Sequence, residues 1–144
     1  AFKALLTQNF DMNTIGRFTL GRYWRVADTE QQNEFLRLFR DMILNVYSKR
    51  FEEYSGQTMT AVGARYEGKR DIIVLSQVQS PSGGNPIKVD WRVRNRGSDA
   101  RPDYKVIDVI VEGISMSLTQ RSDFASVIER NGGQIQPLLV HLGG

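Results

Sequence analysis

An α+β fold, with an antiparallel sheet set between helical segments, is what three features of the sequence predict. Residues 1–54 carry apolar side chains at helical spacing, residues 57–111 switch to a period of two, and residues 115–142 return to helical spacing. The connections between the alternating segments are short, which implies an antiparallel meander. The architecture expected is a curved four-stranded antiparallel sheet with helices over its concave face, plus a small N-terminal helical annex. A chain of 144 residues suggests one domain, 1–144, divided into the annex, 1–27, and a helix–sheet–helix cone, 28–144.

The annex reads as two short helices. Phe2, Leu5, Leu6 and Phe10 have i, i+3, i+4 spacing and predict a helix ending near Asn9. Asp11 is placed to cap a second helix running to about Leu20, with Ile15 and Phe18 inward and Gly21 as its end. Thr29-x-x-Gln32 has the form of a capping box at the start of a long helix. Phe35, Leu38, Phe39, Met42, Ile43, Val46, Tyr47 and Phe51 make its apolar stripe, with Arg37, Arg40, Asp41, Asn45 and Lys49 largely outside it.

Strands are expected near 57–67, 70–79, 86–96 and 104–112. Glu67-Gly68-Lys69 is a tight turn, Pro81-Ser82-Gly83-Gly84-Asn85-Pro86 a longer loop, and Gly97–Pro102 another. The third strand alternates most cleanly: Ile87, Val89, Trp91 and Val93 point one way, Lys88, Asp90, Arg92 and Arg94 the other. The fourth is apolar on both faces, with Val106, Asp108 and Ile110 on one and Ile107, Val109 and Val111 on the other. Its lone charge, Asp108, needs a partner such as an arginine or a backbone amide, because an unpaired buried carboxylate is costly. The strand breaks at Gly113 and turns into a helix, 115–131, carrying Met116, Leu118, Phe124, Val127 and Ile128 and closed by Gly132-Gly133. A last helix, 134–142, supplies Ile135, Leu138, Leu139 and Leu142.

Composition narrows the chemistry. With 40% apolar residues the chain can bury a core, and 19 Lys+Arg against 16 Asp+Glu give a net charge of +3. That balance suits anionic headgroups or acidic protein surfaces and does not mark a nucleic-acid binder. The absence of Cys excludes disulfides, thiol nucleophiles and Cys-based metal sites. No apolar run approaches the roughly 20 residues needed to span a bilayer.

Catalytic signals are weak. The single histidine, His141, stands near the end of the sequence. Nothing places it with Ser115 or Ser117, and no Gly-x-Ser-x-Gly elbow occurs. Asp103, Asp108 and Glu112 lack a loop-type metal-ligand pattern. A base at Asp108 with Tyr104, Tyr66 or Tyr23 is the enzymatic alternative. The structural alternative, preferred here, pairs Asp108 with Arg22 or Arg25. Arg22-Tyr23-Trp24-Arg25 reads as an anchor of the annex rather than a nucleic-acid patch, and Ser82-Gly83-Gly84 as a hairpin loop rather than a phosphate cradle.

Two segments carry a family resemblance, residues 9–51 and 104–133, together about half of the chain. The combination is Phe10-Asp11, Leu20-Gly21-Arg22-Tyr23-Trp24, Asp108, Glu112-Gly113 and Gln120-Arg121-Ser122-Asp123-Phe124. It resembles the MlaC family, the periplasmic phospholipid-binding, toluene-tolerance component of Mla lipid transport. The architecture is similar to the cone of nuclear-transport-factor-like proteins. The resemblance implies an exported, periplasmic protein in mature or trimmed form, preceded in family members by a further helical segment. It implies a glycerophospholipid as ligand and no catalytic residue, metal or cofactor. The partners it implies are an inner-membrane ABC transporter complex and an outer-membrane lipoprotein–porin complex of the Mla type, with no nucleic acid. The lipid-lining residues expected are Phe18, Phe39, Met42, Ile43, Val74, Val89, Trp91, Val93, Val106, Ile110, Met116 and Leu118. A cone-fold enzyme using Asp108, or an interaction domain with a solid core, are the rival readings.

Overall fold

The computed structural model describes residues 2–53, 58–79 and 83–143, and their side chains except those of residues 2–3 and 50–53. The contributions expected of the Phe2 and Phe51 side chains, of Gln57 and of Pro81-Ser82 lie outside the described residues.

Helix α1 (Phe2–Asn9) is followed by α2 (Met12–Leu20). Asp11 caps α2 as expected: its carboxylate accepts from the Thr14 amide at 3.1 Å and the Thr14 hydroxyl at 2.7 Å. A short helix, α3 (Tyr23–Val26), precedes the long α4 (Thr29–Glu53), which at 25 residues is about 38 Å long. The capping box of α4 lies one residue earlier than Thr29/Gln32. The Asp28 amide donates to Gln31 Oε1 at 3.1 Å, and the Gln31 amide donates to Asp28 Oδ1 at 2.8 Å. Gln32 is engaged elsewhere, donating to the Trp24 carbonyl at the end of α3 at 2.7 Å. Both registers fit the sequence pattern, and the orphan carbonyl of α3 decides between them.

Phe35 and Phe39 of α4 are fully buried and stack with centroids 5.8 Å apart. Both meet the edge of Phe124 on α5 (Met116–Arg130), at 5.9 and 6.4 Å. Helix α2 reaches this layer through Gly16, where a Cβ would lie 2.9 Å from Leu36 Cδ2 and 3.1 Å from Phe39 Cδ2. Leu138 and Leu139 of α6 (Gln136–Gly143) close the cluster. Among the described residues, every member of this cluster comes from residues 6–47 and 124–142, and none from a strand.

The sheet is an antiparallel meander ordered β1-β2-β3-β4-β5. Its four main strands are β1 (Thr58–Glu67), β2 (Asp71–Gln79), β3 (Ile87–Asn95) and β4 (Tyr104–Val111). A short β5 (Ile114–Ser115) was not expected; Glu112 at φ 50° and Gly113 at φ 81° form a two-residue turn that folds it back on β4. Helices α1, α2 and α5 all pack on β4, and the Asp11 amide donates to the Val106 carbonyl at 3.0 Å. Helix α4 packs on α1, α2 and α6.

On the face of β2 and β3 that bears charges, Asp71 is held by two arginines. Arg94 Nε meets Asp71 Oδ1 at 2.7 Å and Arg92 Nη2 meets Oδ2 at 2.6 Å. The Arg94 hydrogen bond, with Arg92 beside it, holds the Asp71 carboxyl below the usual carboxylate range against the opposing push of burial.

Two stability experiments follow from these contacts. Asp28→Ala costs about 1 kcal/mol in urea denaturation, whereas Thr29→Ala stays within about 0.5 kcal/mol; the reverse order would restore the box to Thr29/Gln32. Asp71→Asn leaves two arginines without their anion and costs about 2–4 kcal/mol at pH 7. The folded pKa is depressed, so the stability from this carboxylate is complete above about pH 5 and is lost as pH falls through the folded value. Urea midpoints of the two proteins measured from pH 7 down to pH 2.5 therefore converge below about pH 4, the usual carboxylate value. A gap that stays constant across that range contradicts the assignment.

Candidate functional site

Strand register builds one strongly apolar face. Ile72 lies opposite Val93, Val74 opposite Trp91, Ser76 opposite Val89 and Val78 opposite Ile87. Across the next pairing, Trp91 lies opposite Val109 and Val89 opposite Val111. Directly opposed residues share a face, so these side chains form one apolar surface across three strands. Its central hydroxyl is internally satisfied: Ser76 Oγ donates to the Val89 carbonyl at 2.5 Å and accepts from Trp91 Nε1 at 3.0 Å. Most of the aliphatic side chains on this surface are half-buried, and none belongs to the helical core.

Strict alternation does not run the length of β4. Arg92 pairs with Asp108, but Val93 pairs with Val106, so Ile107 is the extra residue of a bulge. Val106 thereby comes opposite Val93 on the apolar side, while Ile110 lies opposite Asp90 on the charged side.

The twelve expected lining residues divide accordingly. Val74, Val89, Trp91, Val93 and Val106 are brought together on the apolar face, and Ile110 is placed on the other. Phe39 and Ile43 are buried in the helical core with Met42 packed against it. Met116 is half-buried at the start of α5. Phe18 and Leu118 are 39% and 56% exposed, contrary to an inward Phe18, whose ring is covered by the Arg121 guanidinium at 5.0 Å. Sequence reasoning passed over Ile72, Val78, Val109 and Val111 as lining. The alternation of β2 contained the first two; placing the last two needed the β3–β4 register.

Asp108 is partnered by none of the arginines proposed for it. Its Oδ1 accepts from the Val109 amide at 2.9 Å and the Ser117 amide at 3.0 Å, and its Oδ2 from the Ser115 hydroxyl. Arg22 instead donates to the Tyr23 hydroxyl at 2.9 Å and lies 3.5 Å from Glu129. The tyrosines of the enzymatic alternative are also engaged elsewhere or exposed: Tyr23 donates to Glu129 at 3.3 Å, Tyr66 is 80% exposed, and Tyr104, opposite Asn95 at the start of β4, is 47% exposed. Ser115 Oγ is committed to Asp108 and to the Leu118 amide as the cap of α5, and His141 is exposed on α6. Among the described residues no cluster of His, Asp and Glu is arranged to hold a metal. No helix among them is long and apolar enough to cross a membrane.

The MlaC family model matches residues 1–143. The chain belongs to this family. Among curated MlaC relatives, the toluene tolerance protein ttg2D of Pseudomonas putida is 29% identical over 115 residues, covering 79% of this chain and 51% of that protein. The intermembrane phospholipid transport system binding protein MlaC of Haemophilus influenzae is 23% identical over 120 residues, covering 81% and 54%. The chain thus spans about half the length of the curated relatives it matches. A phospholipid-binding protein of Ralstonia solanacearum, solved in complex with a phospholipid, matches with a TM-score of 0.81 and 26% identity, over 99% of this chain and 78% of that one. The α+β architecture derived above is therefore an MlaC architecture.

In this MlaC-family chain Asp108 ties strand to helix, so Asp108→Asn lowers stability by about 1–3 kcal/mol because an amide cannot accept the same three hydrogen bonds. Thermal denaturation checks this. An unchanged melting temperature together with loss of a measurable turnover would give Asp108 back to catalysis.

Proposed function

We propose that this protein is a periplasmic phospholipid carrier whose residues act as one lipid-binding domain, with the helices of 1–27 as its annex. The observation that carries the reading is the apolar sheet face left out of the helical core, in a chain of the MlaC family. The phospholipid in the Ralstonia relative supports the ligand class, and the name of the Haemophilus relative supports a transport role. The carrier passes lipid between an outer-membrane and an inner-membrane complex of the Mla type, and no bond is made or broken.

Holding acyl chains is a solvation task. Burial is worth about 0.8 kcal/mol per methylene, so two chains of about 30 methylenes together represent roughly 24 kcal/mol gross. The bilayer already provides that stabilisation, so the carrier has to match an apolar solvent rather than exceed it. An aliphatic surface suffices, and selectivity for chain length is loose. Val74, Val89, Trp91, Val93 and Val106, with Val109 and Val111, are the sheet side of the binding surface; Met42 and Met116 are candidates from the helices.

Protein prepared in mild conditions and extracted with organic solvent is expected to yield about one or two diacyl phospholipids per chain by mass spectrometry. Stoichiometric absence of lipid would remove the carrier reading. Val93→Glu should lower lipid content several-fold, because an ionised carboxylate among acyl chains costs several kcal/mol unless it neutralises or reaches water. Thr60→Glu, on exposed β1, should retain lipid. Arg92→Glu is not a neutral control, since Arg92 holds Asp71. Equal occupancy in Val93→Glu and Thr60→Glu, with folding checked by circular dichroism, would show that the apolar face is not the binding surface.

A further inference from the structure

A basic cleft of about 450 Å³ lies between α2, α3, the start of α5 and the loop after β3. Arg17, Arg25, Arg96 and Arg121 line it, with the rings of Phe18 and Trp24, and no carboxylate does. Four of the chain's 19 basic residues therefore face one concavity in a protein of net charge +3. Arg96 is compensated by Asp11 at 3.0 Å. Arg17, Arg25 and Arg121 have no carboxylate partner among the described residues. A neighbouring cleft of about 330 Å³ makes the contrast, because there Asp11 and Asp103 stand against Arg40, Arg96 and Lys105.

Two of the uncompensated guanidinium groups are positioned by rings. Arg17 Cζ lies 5.5 Å from the Trp24 ring centroid and Arg121 Cζ 5.0 Å from that of Phe18. Arg121 also lies against the backbone of Gly21, where a Cβ would come within 2.7 Å of its Nε. Gly21, at φ 55°, thus both ends α2 and admits the guanidinium. A cation–ring contact uses none of the guanidinium hydrogen bonds, so the N–H donors of Arg17 and Arg121 remain for a ligand. That is the geometry in which arginine grips phosphate or carboxylate oxygens with little further ordering. The aromatic walls make the cleft amphiphilic, which suits a phosphate carried on a glycerol more than a free ion or an acidic peptide.

We propose that the Arg17/Arg25/Arg96/Arg121 cleft binds the phosphodiester headgroup of an anionic glycerophospholipid. The choice of a lipid phosphate rests on the carrier reading; the presence of an anion site does not. The test is isothermal titration of the full chain, stripped of co-purified lipid after the lipid content of each preparation has been measured, with glycerophosphoglycerol, a phosphodiester headgroup without acyl chains, and in parallel with inorganic phosphate and a hexaglutamate peptide. Arg17→Gln/Arg121→Gln is compared with Arg37→Gln/Arg65→Gln, which removes the same charge from exposed positions outside the cleft. The wild type and the control pair should bind glycerophosphoglycerol in a salt-sensitive manner, and the cleft pair at least about ten-fold more weakly. Equal binding by the two pairs, or none by the wild type, overturns the site. Inorganic phosphate binding as well as the diester, or hexaglutamate binding better, overturns the headgroup assignment. Lipid content measured on the same preparations separates the two proposals. Lipid present with no effect of the cleft pair removes the cleft and leaves the carrier, whereas cleft-dependent diester binding without lipid does the reverse.

Discussion

The carboxylate of Asp108 accepts from the amide of the next residue in β4, from the hydroxyl of Ser115 in β5 and from the amide of Ser117 at the start of α5. One side chain thus joins the strand beside its bulge, the two-residue turn at Glu112-Gly113, and the helix that supplies Phe124 to the core. Ser115 adds a second link as N-cap of α5, accepting from the Leu118 amide at 3.1 Å. A carboxylate at a helix N-terminus is favoured by the partial positive charge of the free amides, and two amide donors keep it satisfied without a counter-ion. The angle at which the chain leaves the sheet depends on this junction, and with it the position of α5 against α2, α4 and α6.

The second constraint is that the helices satisfy one another. The ring trio of Phe35, Phe39 and Phe124, the close approach at Gly16, and Leu138 and Leu139 form a hydrophobic cluster complete without any strand residue. In an ordinary two-layer domain the helices would bury their apolar stripe against the sheet. Here the helices meet the sheet mainly along β4, and the valine-rich face of β2, β3 and β4 keeps partial exposure. A sheet face so composed is unfavourable in water unless another apolar body covers it. The carrier reading proposed above gives that role to an acyl chain.

Charge is organised around the same division. The opposite face of β2 and β3 pairs its charges, Asp71 with Arg92 and Arg94 and Asp90 with Lys88, so rigidity there is electrostatic as well as backbone-derived. Around the annex the pairing is less complete: Arg22 meets Glu129, but Arg17 and Arg121 of α5 rest on aromatic rings rather than acids, which leaves a positive surface.

The sequence by itself determined what depends on neighbours a few residues away. The Asp11 cap, the end of α2 at Gly21, the turns at Gly68 and at Gly97–Pro102, the boundaries of the four main strands to within a residue or two, and the alternation of β2 and β3 all rest on local periodicity and turn chemistry. Tertiary structure decided every feature that pits two local solutions against each other. Asp28 rather than Thr29 caps α4 because the carbonyl of Trp24 engages Gln32. Asp108 takes amides rather than an arginine because α5 starts beside it, while Tyr23 and Glu129 hold Arg22. The bulge at Ile107 divides residues that strict alternation had grouped, placing Val106 with Val93 and Ile110 with Asp90. Phe39 packs in the helical core and Phe18 lies under Arg121, although both sit at inward spacing along their helices. Periodicity reports that a side chain is apolar on one side of its element; which surface that side meets is set by contacts between residues far apart in the chain.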